Sequence, residues 1–455
     1  MPDAVPSSRW MPRPLRRFEV MNRKLAPIFL VAALVGAATG LIGAALLRGV
    51  FWLHEGRQVL IQAAETAFGG GAVVSMLASA AVTVGAVALV RFFAPEAAGS
   101  GIQEIEGALE GVRVLRPGRV LPVKLAGGIL SLGGGLSLGR EGPTIHMGGA
   151  LGRLLGRLFG RKDPQELHSL VAAGAAAGLA AAFNAPLAGI LFVVEEMRRS
   201  FHFNFVSFHC VVIAAVAADI VVRLLLHAGP AIVMTVFPVP RLGDLWLFFV
   251  FGVLIGGVGA VFNSLLLAAL GRVDRAARRW PWRFALIVGA AFGLIAWSVP
   301  DLAGGGYHVL RHALTGEMAV PLLVLFFTCR FAGTLFCYAT GAPGGIFAPM
   351  LALGTLLGMA FGQVVVGLGL EMAPFPGMFA VAGMGALFAA TVRAPLTGMV
   401  LIMEMTRNYD LTLPLLVTCI ASVVTAETLG GRPIYSLLLE RTLRREQESA
   451  VAGEA

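Results

Sequence analysis

The sequence predicts an all-α polytopic membrane protein built from two repeats, and three observations lead to that prediction. The first is composition: of 455 residues, 57% are hydrophobic and 13% are charged, and the mean hydropathy is +0.82. Soluble domains are about 45–50% apolar and about 25% charged, so the solvent of this chain is a lipid bilayer. The second observation is a series of apolar runs that recurs to the end of the chain, and the third is a pair of repeated motifs.

Apolar runs between polar breaks mark the candidate membrane helices. A full span needs about 20 apolar residues, but several runs are shorter and are interrupted by Gly and Pro, as in AAFNAPLAG and GAPGGIFAP. Broken backbone at membrane depth is tolerated only where it is buried in protein or lines a cavity. We therefore expect short, broken and tilted helices. The runs are 25–50, 72–94, 121–135, 145–160, 169–184, 186–197, 206–226, 244–270, 284–299, 319–340, 346–369, 376–391, 394–405 and 411–429.

Basic residues cluster in short segments between the apolar runs, at 9–24, 153–162, 272–283 and 432–445. Cytoplasmic loops carry such an excess of Lys and Arg, so all four segments and both termini are expected in the cytoplasm. The same distribution accounts for the formal net charge of +9 without a nucleic-acid partner.

No pattern predicts a metal, a cofactor or an enzyme. The four cysteines lie inside apolar runs without a CxxC pair, which is typical of buried free thiols, and the histidines show no HExxH spacing. A hydrolase that used Ser100 would need a GxSG-like turn and a histidine base, and AGSGI lacks that order. The cysteines are Cys210, Cys329, Cys337 and Cys419.

Two motif pairs in the same order indicate duplicated halves. APLAGILFVVEEM begins at Ala185 and APLTGMVLIMEM at Ala394, and each places a carboxylate, Glu195 or Glu404, ten residues after its first alanine. Upstream, GREGP (139–143) matches GIFAP (345–349) as GxxxP, and each is followed by a GxxxG pair. Gly/Pro-broken helices in matching positions of two halves are typical of the binding site of a secondary transporter. The pattern leaves open whether the repeats are parallel or inverted.

Three Gly-rich segments, 98–109, 139–149 and 341–354, each look like a loop that opens a helix. Helix N-termini carry unpaired N–H groups and a partial positive charge, so converging segments would bind an anion without a buried lysine. Ser100 would add a hydroxyl donor. Glu141, on the GREGP bend, is costly at membrane depth, by about 2.5–3.5 kcal/mol on insertion scales, and it is therefore a candidate functional residue.

The motifs GSGIQ, GREGP, GIFAP and GRPIYS, in that order, resemble the CLC family of chloride channels and chloride/proton exchangers over residues 25–445. The resemblance departs at Gln103, where the family usually has proline, and this is expected to loosen the start of that helix. It implies two inverted-topology repeats, 25–228 and 229–436, between a basic arm (1–24) and a short cytoplasmic tail (437–455). It also implies a homodimer with one pore per subunit.

The resemblance implies roles for five residues. Ser100 and Tyr435 donate hydroxyls to a central anion, and the backbone N–H groups of Ile346 and Phe347 cradle the same ion. Glu141 is the gate, whose carboxylate competes with anions and binds the transported proton.

The resemblance also makes Glu196 the internal proton-transfer carboxylate, which exchangers have and most channel members lack. Glu195 and Glu196 lie about 100° apart on a helix. The repeat pairs Glu195 with Glu404, which favours an architectural role, whereas Glu196 has Met405 opposite it.

Supporting roles are assigned to four further residues: Arg140, which adds positive potential or holds the turn; Gly345; and Glu106 with Lys124, which form a buried salt bridge. Tyr307, Tyr338 and Tyr409 carry no pattern that assigns them a role.

The function expected from this resemblance is secondary active exchange of chloride for protons, and the alternative is a passive voltage- or pH-gated chloride channel. Glu196 favours exchange, and Ser100 favours chloride, with other halides and nitrate left open. The expected surroundings are membrane lipids and a second copy of the chain, in a bacterial inner membrane.

Overall fold

The computed structural model describes residues 13–197, 203–226, 232, 234–277, 281–369 and 375–454. These residues form seventeen α-helices and, among them, no strand beyond an isolated bridge between Gly139 and Gly345. Eight of the described helices are long and apolar enough to cross a membrane, and four more apolar helices have 10–17 residues. The all-α fold with short and broken helices is confirmed.

Each predicted apolar run corresponds to one helix, and three helices, α3, α11 and α17, lie outside those runs. Residues 1–12 of the expected N-terminal arm and residues 227–231 around the expected repeat boundary lie outside the described residues. The first half contains α1 (Arg13–Phe68), α2 (Gly71–Phe93), α3 (Ile102–Leu109), α4 (Pro117–Gly133), α5 (Glu141–Leu158), α6 (Pro164–Phe183), α7 (Pro186–Glu195) and α8 (Phe205–Leu226). The second half contains α9 (Leu245–Ala277), α10 (Pro281–Ser298), α11 (Tyr307–Leu314), α12 (Val320–Ala339), α13 (Phe347–Gly367), α14 (Pro376–Val392), α15 (Pro395–Thr406), α16 (Thr412–Thr428) and α17 (Ile434–Glu454).

The repeat extends to backbone conformation. The eight-residue helices α3 and α11 each follow a left-handed glycine, Gly101 (φ 86°) or Gly306 (φ 99°). Helices α6 and α14 each end on a left-handed residue that is not glycine, Asn184 (φ 58°) or Arg393 (φ 75°). A non-glycine residue with positive φ is uncommon, so its presence at both matching positions shows that the two halves follow one backbone plan.

The GxxxG glycines allow neighbouring helices to pack closely in both halves. A Cβ on Gly148 of α5 would lie 2.1 Å from the carbonyl oxygen of Gly174 in α6. A Cβ on its twin Gly354 of α13 would lie 2.1 Å from the carbonyl oxygen of Gly383 in α14. Small residues let helix backbones approach in this way, and α6 and α14 form the buried centre of each half.

Two carboxylates join the repeats across α7 and α15. The carboxylate of Glu195, at the end of α7, accepts the backbone N–H of Thr397 (2.7 Å) in the first turn of α15. The carboxylate of Glu404, near the end of α15, accepts the N–H of Ala188 (2.8 Å) in the first turn of α7. We call these two capped helix starts the inter-repeat clasp. Helices linked end-to-start in both directions are antiparallel and are related by a two-fold axis perpendicular to them, so the repeats are inverted.

The cysteines follow the sequence prediction with one exception. Cys210, Cys337 and Cys419 are buried and free, but Cys329 is free and exposed. The prediction of burial is wrong for Cys329 because its apolar run, α12, has an outer face that is also apolar in a membrane protein, so hydrophobicity alone does not separate its two faces.

Candidate anion and proton site

The site forms where the two GxxxP bends of the repeat meet. Gly139 and Gly345 exchange backbone hydrogen bonds in both directions, each with an N···O distance of 2.7 Å. This pairing places the start of α5, at Glu141, beside the start of α13, at Phe347. The N-terminal ends of both helices carry partial positive charge, so the predicted convergence of helix starts at one point is present.

The carboxylate of Glu141 lies on the first turn of α13. It is fully buried, and its Oε2 accepts the backbone N–H of Ala348 at 3.4 Å. Its Oε1 accepts the hydroxyl of Tyr307 at 3.4 Å. A Cβ on Gly139 would lie 2.1 Å from Oε2, so glycine at this position leaves the room that the carboxylate occupies. The Glu141 carboxylate therefore lies where a helix N-terminus favours an anion.

Ser100 lies beside the start of α5 and has a free hydroxyl. A Cβ on Gly142 would lie 2.3 Å from its Oγ, and that Oγ is buried without a hydrogen-bond partner among the described residues. The loop before it is held by Lys124, whose buried Nζ donates to the carbonyls of Ala97 (3.0 Å) and Gly99 (2.7 Å). The protein thus fixes the backbone of this loop and leaves the hydroxyl available as a donor.

Tyr435 presents a second hydroxyl of the same kind. It lies near the start of α17, the helix that also contains residues 437–454 of the predicted tail, and α17 packs against α3 and α14. Tyr435 is fully buried, and its hydroxyl has no hydrogen-bond partner in the part of the chain that the structure describes. Buried polar groups are normally hydrogen-bonded, so the hydroxyls of Ser100 and Tyr435 both indicate a bound polar ligand.

Ile346 and Phe347 occupy the N-cap and first position of α13. The first N–H groups of an α-helix have no partner within the helix, which makes these residues suitable for the predicted anion cradle. The Phe347 ring is fixed against Phe183 and Phe388, with centroid separations of 5.0 and 4.2 Å. The cradle is therefore backbone held in place by aromatic packing.

Two supporting residues hold turns around the site. Arg140 donates to the carbonyl of Ala182 at 2.8 Å, and its guanidinium lies 5.5 Å from the centroid of the Tyr307 ring. Gln103, which was expected to loosen the start of α3, accepts the N–H of Gly101 at 3.1 Å through its side-chain oxygen. The side chain thus closes the turn that a proline would stiffen, and α3 begins at Ile102.

The salt bridge that the structure shows on α3 is not the predicted pair of Glu106 and Lys124. The salt bridge found there joins Glu104 and Arg113 at 2.8 Å, while Lys124 donates to the two carbonyls described above. Glu106 is buried on the same helix, and its pairing with Lys124 stays a prediction.

Glu195 and Glu196 are adjacent in the sequence but occupy different positions in the fold. Glu195 accepts the N–H groups of Leu396 (3.0 Å) and Thr397 (2.7 Å) and the hydroxyl of Thr397 (2.7 Å). Its geometry agrees with the architectural role inferred from the repeat. Glu196 follows α7 as its half-buried C-cap residue and lies outside the clasp, and its role in proton transfer stays a prediction.

Sequence reasoning missed Tyr307, Tyr338 and Ala348. The hydroxyl of Tyr338 accepts the N–H of Ser100 at 3.4 Å, and the other two contact Glu141. Extending the repeat would have found Tyr307, because GGGY (304–307) is the twin of GSGI (99–102) at an offset of 205 residues, close to the 206 and 209 of the other motif pairs.

Inverted repeats whose broken helix starts meet at one buried site define an ion-transporting membrane protein. The chain belongs to the CLC family, since residues 82–427 match the family model described as "Voltage gated chloride channel".

Its relatives include proteins named H(+)/Cl(-) exchange transporter ClcA. The one from Vibrio parahaemolyticus is 47% identical over 423 residues, which are 92% of this chain and 91% of the relative. The one from Salmonella paratyphi B is 45% identical over 452 residues, which are 97% of this chain and 95% of the relative.

Two solved structures are similar in fold and sequence. A slow cyanobacterial Cl⁻/H⁺ antiporter superposes with a TM-score of 0.88 at 40% identity, covering 92% of this chain and 99% of its own. A eukaryotic CLC transporter superposes with a TM-score of 0.77 at 25% identity, covering 91% of this chain and 74% of its own.

Proposed function

We propose that this protein exchanges chloride for protons across a membrane, with Glu141 as the proton-binding gate of the anion pathway. The names of its relatives support chloride and protons as the two substrates. The observation that carries the gate is the position of the Glu141 carboxylate, which accepts the N–H of Ala348 at the start of α13. A carboxylate in that place is a substitute for the transported anion.

The gate couples the two ions by competition. The ionised carboxylate of Glu141 fills the anion position at the helix start and blocks the pathway. When it binds a proton it loses its charge, so its attraction to the helix N-terminus falls and an anion takes its place. Deprotonation brings the carboxylate back and expels the anion. Because the proton binds to the Glu141 side chain and the anion takes the place that this side chain leaves, the binding of one ion is linked to the binding of the other.

The anion itself is held by neutral donors. The free hydroxyls of Ser100 and Tyr435 and the N–H groups of Ile346 and Phe347 replace the hydration shell of chloride without a buried cation. Dipoles of this kind bind an anion moderately, and moderate binding lets the ion leave again. Other halides and nitrate offer the same charge and remain candidate substrates.

Glu196 serves as the internal proton-transfer carboxylate in this proposal. Glu195 is committed to the clasp by three hydrogen bonds, and Glu196 has Met405 opposite it in the repeat, so it is the carboxylate that only one half provides. The alternative function is a passive chloride channel with the same fold, which is the activity that the description of the matching family model names.

The protein acts as a homodimer with one pore per subunit in a bacterial inner membrane, with both termini in the cytoplasm. The basic segments at 153–162 and 432–445 support that orientation. The ion-binding chemistry proposed here uses protein donors and one carboxylate, and it requires no metal, cofactor or enzymatic step.

Substitution of Glu141 by glutamine tests the gate. Glutamine keeps the shape of the side chain but neither ionises nor carries a transported proton. In liposomes, Glu141→Gln is expected to pass chloride while proton movement falls to background. A Glu141→Gln protein that still moves protons against a gradient would show that the gate is a different residue.

A further inference from the structure

The hydroxyl of Tyr307 and the start of α13 bond to different oxygens of the Glu141 carboxylate. The hydroxyl donates to Oε1 at 3.4 Å, while Ala348 donates to Oε2 at the same distance. The carboxylate is thus held by two backbone donors, the N–H groups of Ala348 and of Glu141 itself, and by one side-chain donor, Tyr307. Removing the hydroxyl alone, by substitution with phenylalanine, would leave the backbone donors in place.

The loop 300–306, which leads directly to Tyr307 at the start of α11, is fixed by a buried arginine. Arg330 of α12 is fully buried and donates to the carbonyls of Asp301 (2.8 Å), Ala303 (3.1 Å) and Gly304 (2.8 Å). The N–H of Gly304 in turn donates to the carbonyl of Gly135 at 3.0 Å, in the segment that leads into GREGP. Buried hydrogen bonds to a charged group are among the stronger ones in proteins, so the loop 300–306 is held firmly against the gate.

The turn before Tyr307 allows no substituent. Gly306 has φ of 99°, and a Cβ there would lie 2.5 Å from Cβ of Ala352 and 2.8 Å from Nη2 of Arg330. The ring of Tyr307 is also covered by the guanidinium of Arg140, whose charge acts on both Tyr307 and Glu141. The direction of the hydroxyl is therefore set by the fold, with little freedom left to the side chain.

We propose that Tyr307 is a positioning residue for the gate, which stabilises the ionised, seated form of the Glu141 carboxylate and thereby sets the pH at which the pathway opens. This inference rests on the proposed role of Glu141. Helix α13 brings only uncharged groups to the pair, since Phe347–Gly367 contains no ionisable side chain. Arg140 is the charged side chain that acts on both groups, and Tyr435 acts on Glu141. The other titratable side chains on α3, α4, α5, α11, α12 and the loop 300–306 are Glu104, Glu106, Arg119, Lys124, His146, Arg153, Arg157, Asp301, His308, Arg311, His312, Cys329, Arg330, Cys337 and Tyr338.

The test compares Tyr307→Phe with the wild type and with Tyr409→Phe, a matched control at a tyrosine that is 59% exposed. Chloride turnover in liposomes is measured as a function of pH. Without the hydroxyl the seated form is less stable, so turnover in Tyr307→Phe should persist to a pH about one unit higher, which is a tenfold change in the population of that form. At pH values above the midpoint of this profile, the chloride concentration that gives half-maximal turnover should fall by a similar factor, because the Glu141 carboxylate competes less strongly with chloride.

The same change is then made in the Glu141→Gln background. There Tyr307→Phe should alter neither the pH profile nor the chloride dependence, because no ionisable gate remains. A midpoint in Tyr307→Phe equal to that of Tyr409→Phe would overturn the inference, and so would a shift that survives in the Glu141→Gln background. If Glu141→Gln itself keeps proton transport, the proposed gate fails independently of the result at Tyr307.

Discussion

Substituting Gly139 by alanine should remove the Glu141 carboxylate from its seat without changing the carboxylate itself. The new Cβ would lie 2.1 Å from Oε2 of Glu141, and 3.1 and 3.2 Å from N and Cβ of Ala348. The flexible carboxylate relieves the closest contact by moving away, and the backbone of Gly139 has no positive φ that would exclude alanine.

The cost to the closed gate follows from the contacts that are lost. The bond from Ala348 is long at 3.4 Å, so it is assigned about 1.5 kcal/mol, the lower end for a bond to a charged group. Loss of the helix N-terminus adds about 0.5–1 kcal/mol. The sum, about 2–2.5 kcal/mol, shifts the gate towards the open form by about 30- to 70-fold.

Paired measurements of chloride and proton flux from liposomes detect this shift. The alanine at Gly139 should increase chloride flux at high pH and lower the number of protons moved per chloride. The matched control is Gly345→Ala, since its Cβ would meet the backbone of Gly142 at 3.1 Å and no carboxylate. Normal coupling in a folded Gly139→Ala protein, or equal uncoupling in Gly345→Ala, would refute the reasoning.

Two further predictions concern carboxylates outside the gate. Glu195→Gln should lower the free energy of unfolding by about 1.5–3 kcal/mol, the value of a hydrogen bond to a charged group, and should keep proton coupling. Glu196→Gln should keep the stability of the wild type and lose proton coupling. Equal effects in thermal unfolding and in proton flux would contradict that separation. Burial raises the pKa of Asp301, but hydrogen bonds from His308 and His312 outweigh it and hold that pKa below its usual value. Its contribution to stability is therefore present above about pH 4 and lost as the pH falls below that value. Asp301→Asn should lower the unfolding temperature at pH 7 and flatten its decline between pH 5 and 3, and an unchanged decline would disprove the assignment.

The architecture was largely predictable because hydrophobic runs and repeated motifs report directly on burial and duplication. The repeat paired Glu195 with Glu404 before any contact was known, and the clasp explains the pairing: each carboxylate caps the helix start that the APLxG motif of the other half provides. The relative orientation of the two repeats was not predictable from spacing, since a parallel and an inverted duplication leave the same motifs at the same offsets. It became clear only when Glu195 and Glu404 were seen to bond in both directions.

The proposed gate was predictable in part. Its residue, Glu141, is conspicuous as a charge on a Gly-Pro bend, but its partners are not. Ala348 contributes a backbone N–H, which no residue type signals, and Tyr307 reaches the carboxylate from the start of α11, 166 residues further along the chain. Gln103 was misjudged for a similar reason: the expectation considered the missing proline, but not the side-chain hydrogen bond that replaces its effect.

The central claim, exchange of chloride for protons, is tested most directly by the reversal potential of the reconstituted wild-type protein under opposing chloride and pH gradients. Coupled exchange predicts a potential displaced from the chloride equilibrium value that moves when the pH gradient alone is changed. A potential that stays at the chloride equilibrium value at every pH gradient would contradict exchange and identify the protein as a passive chloride channel.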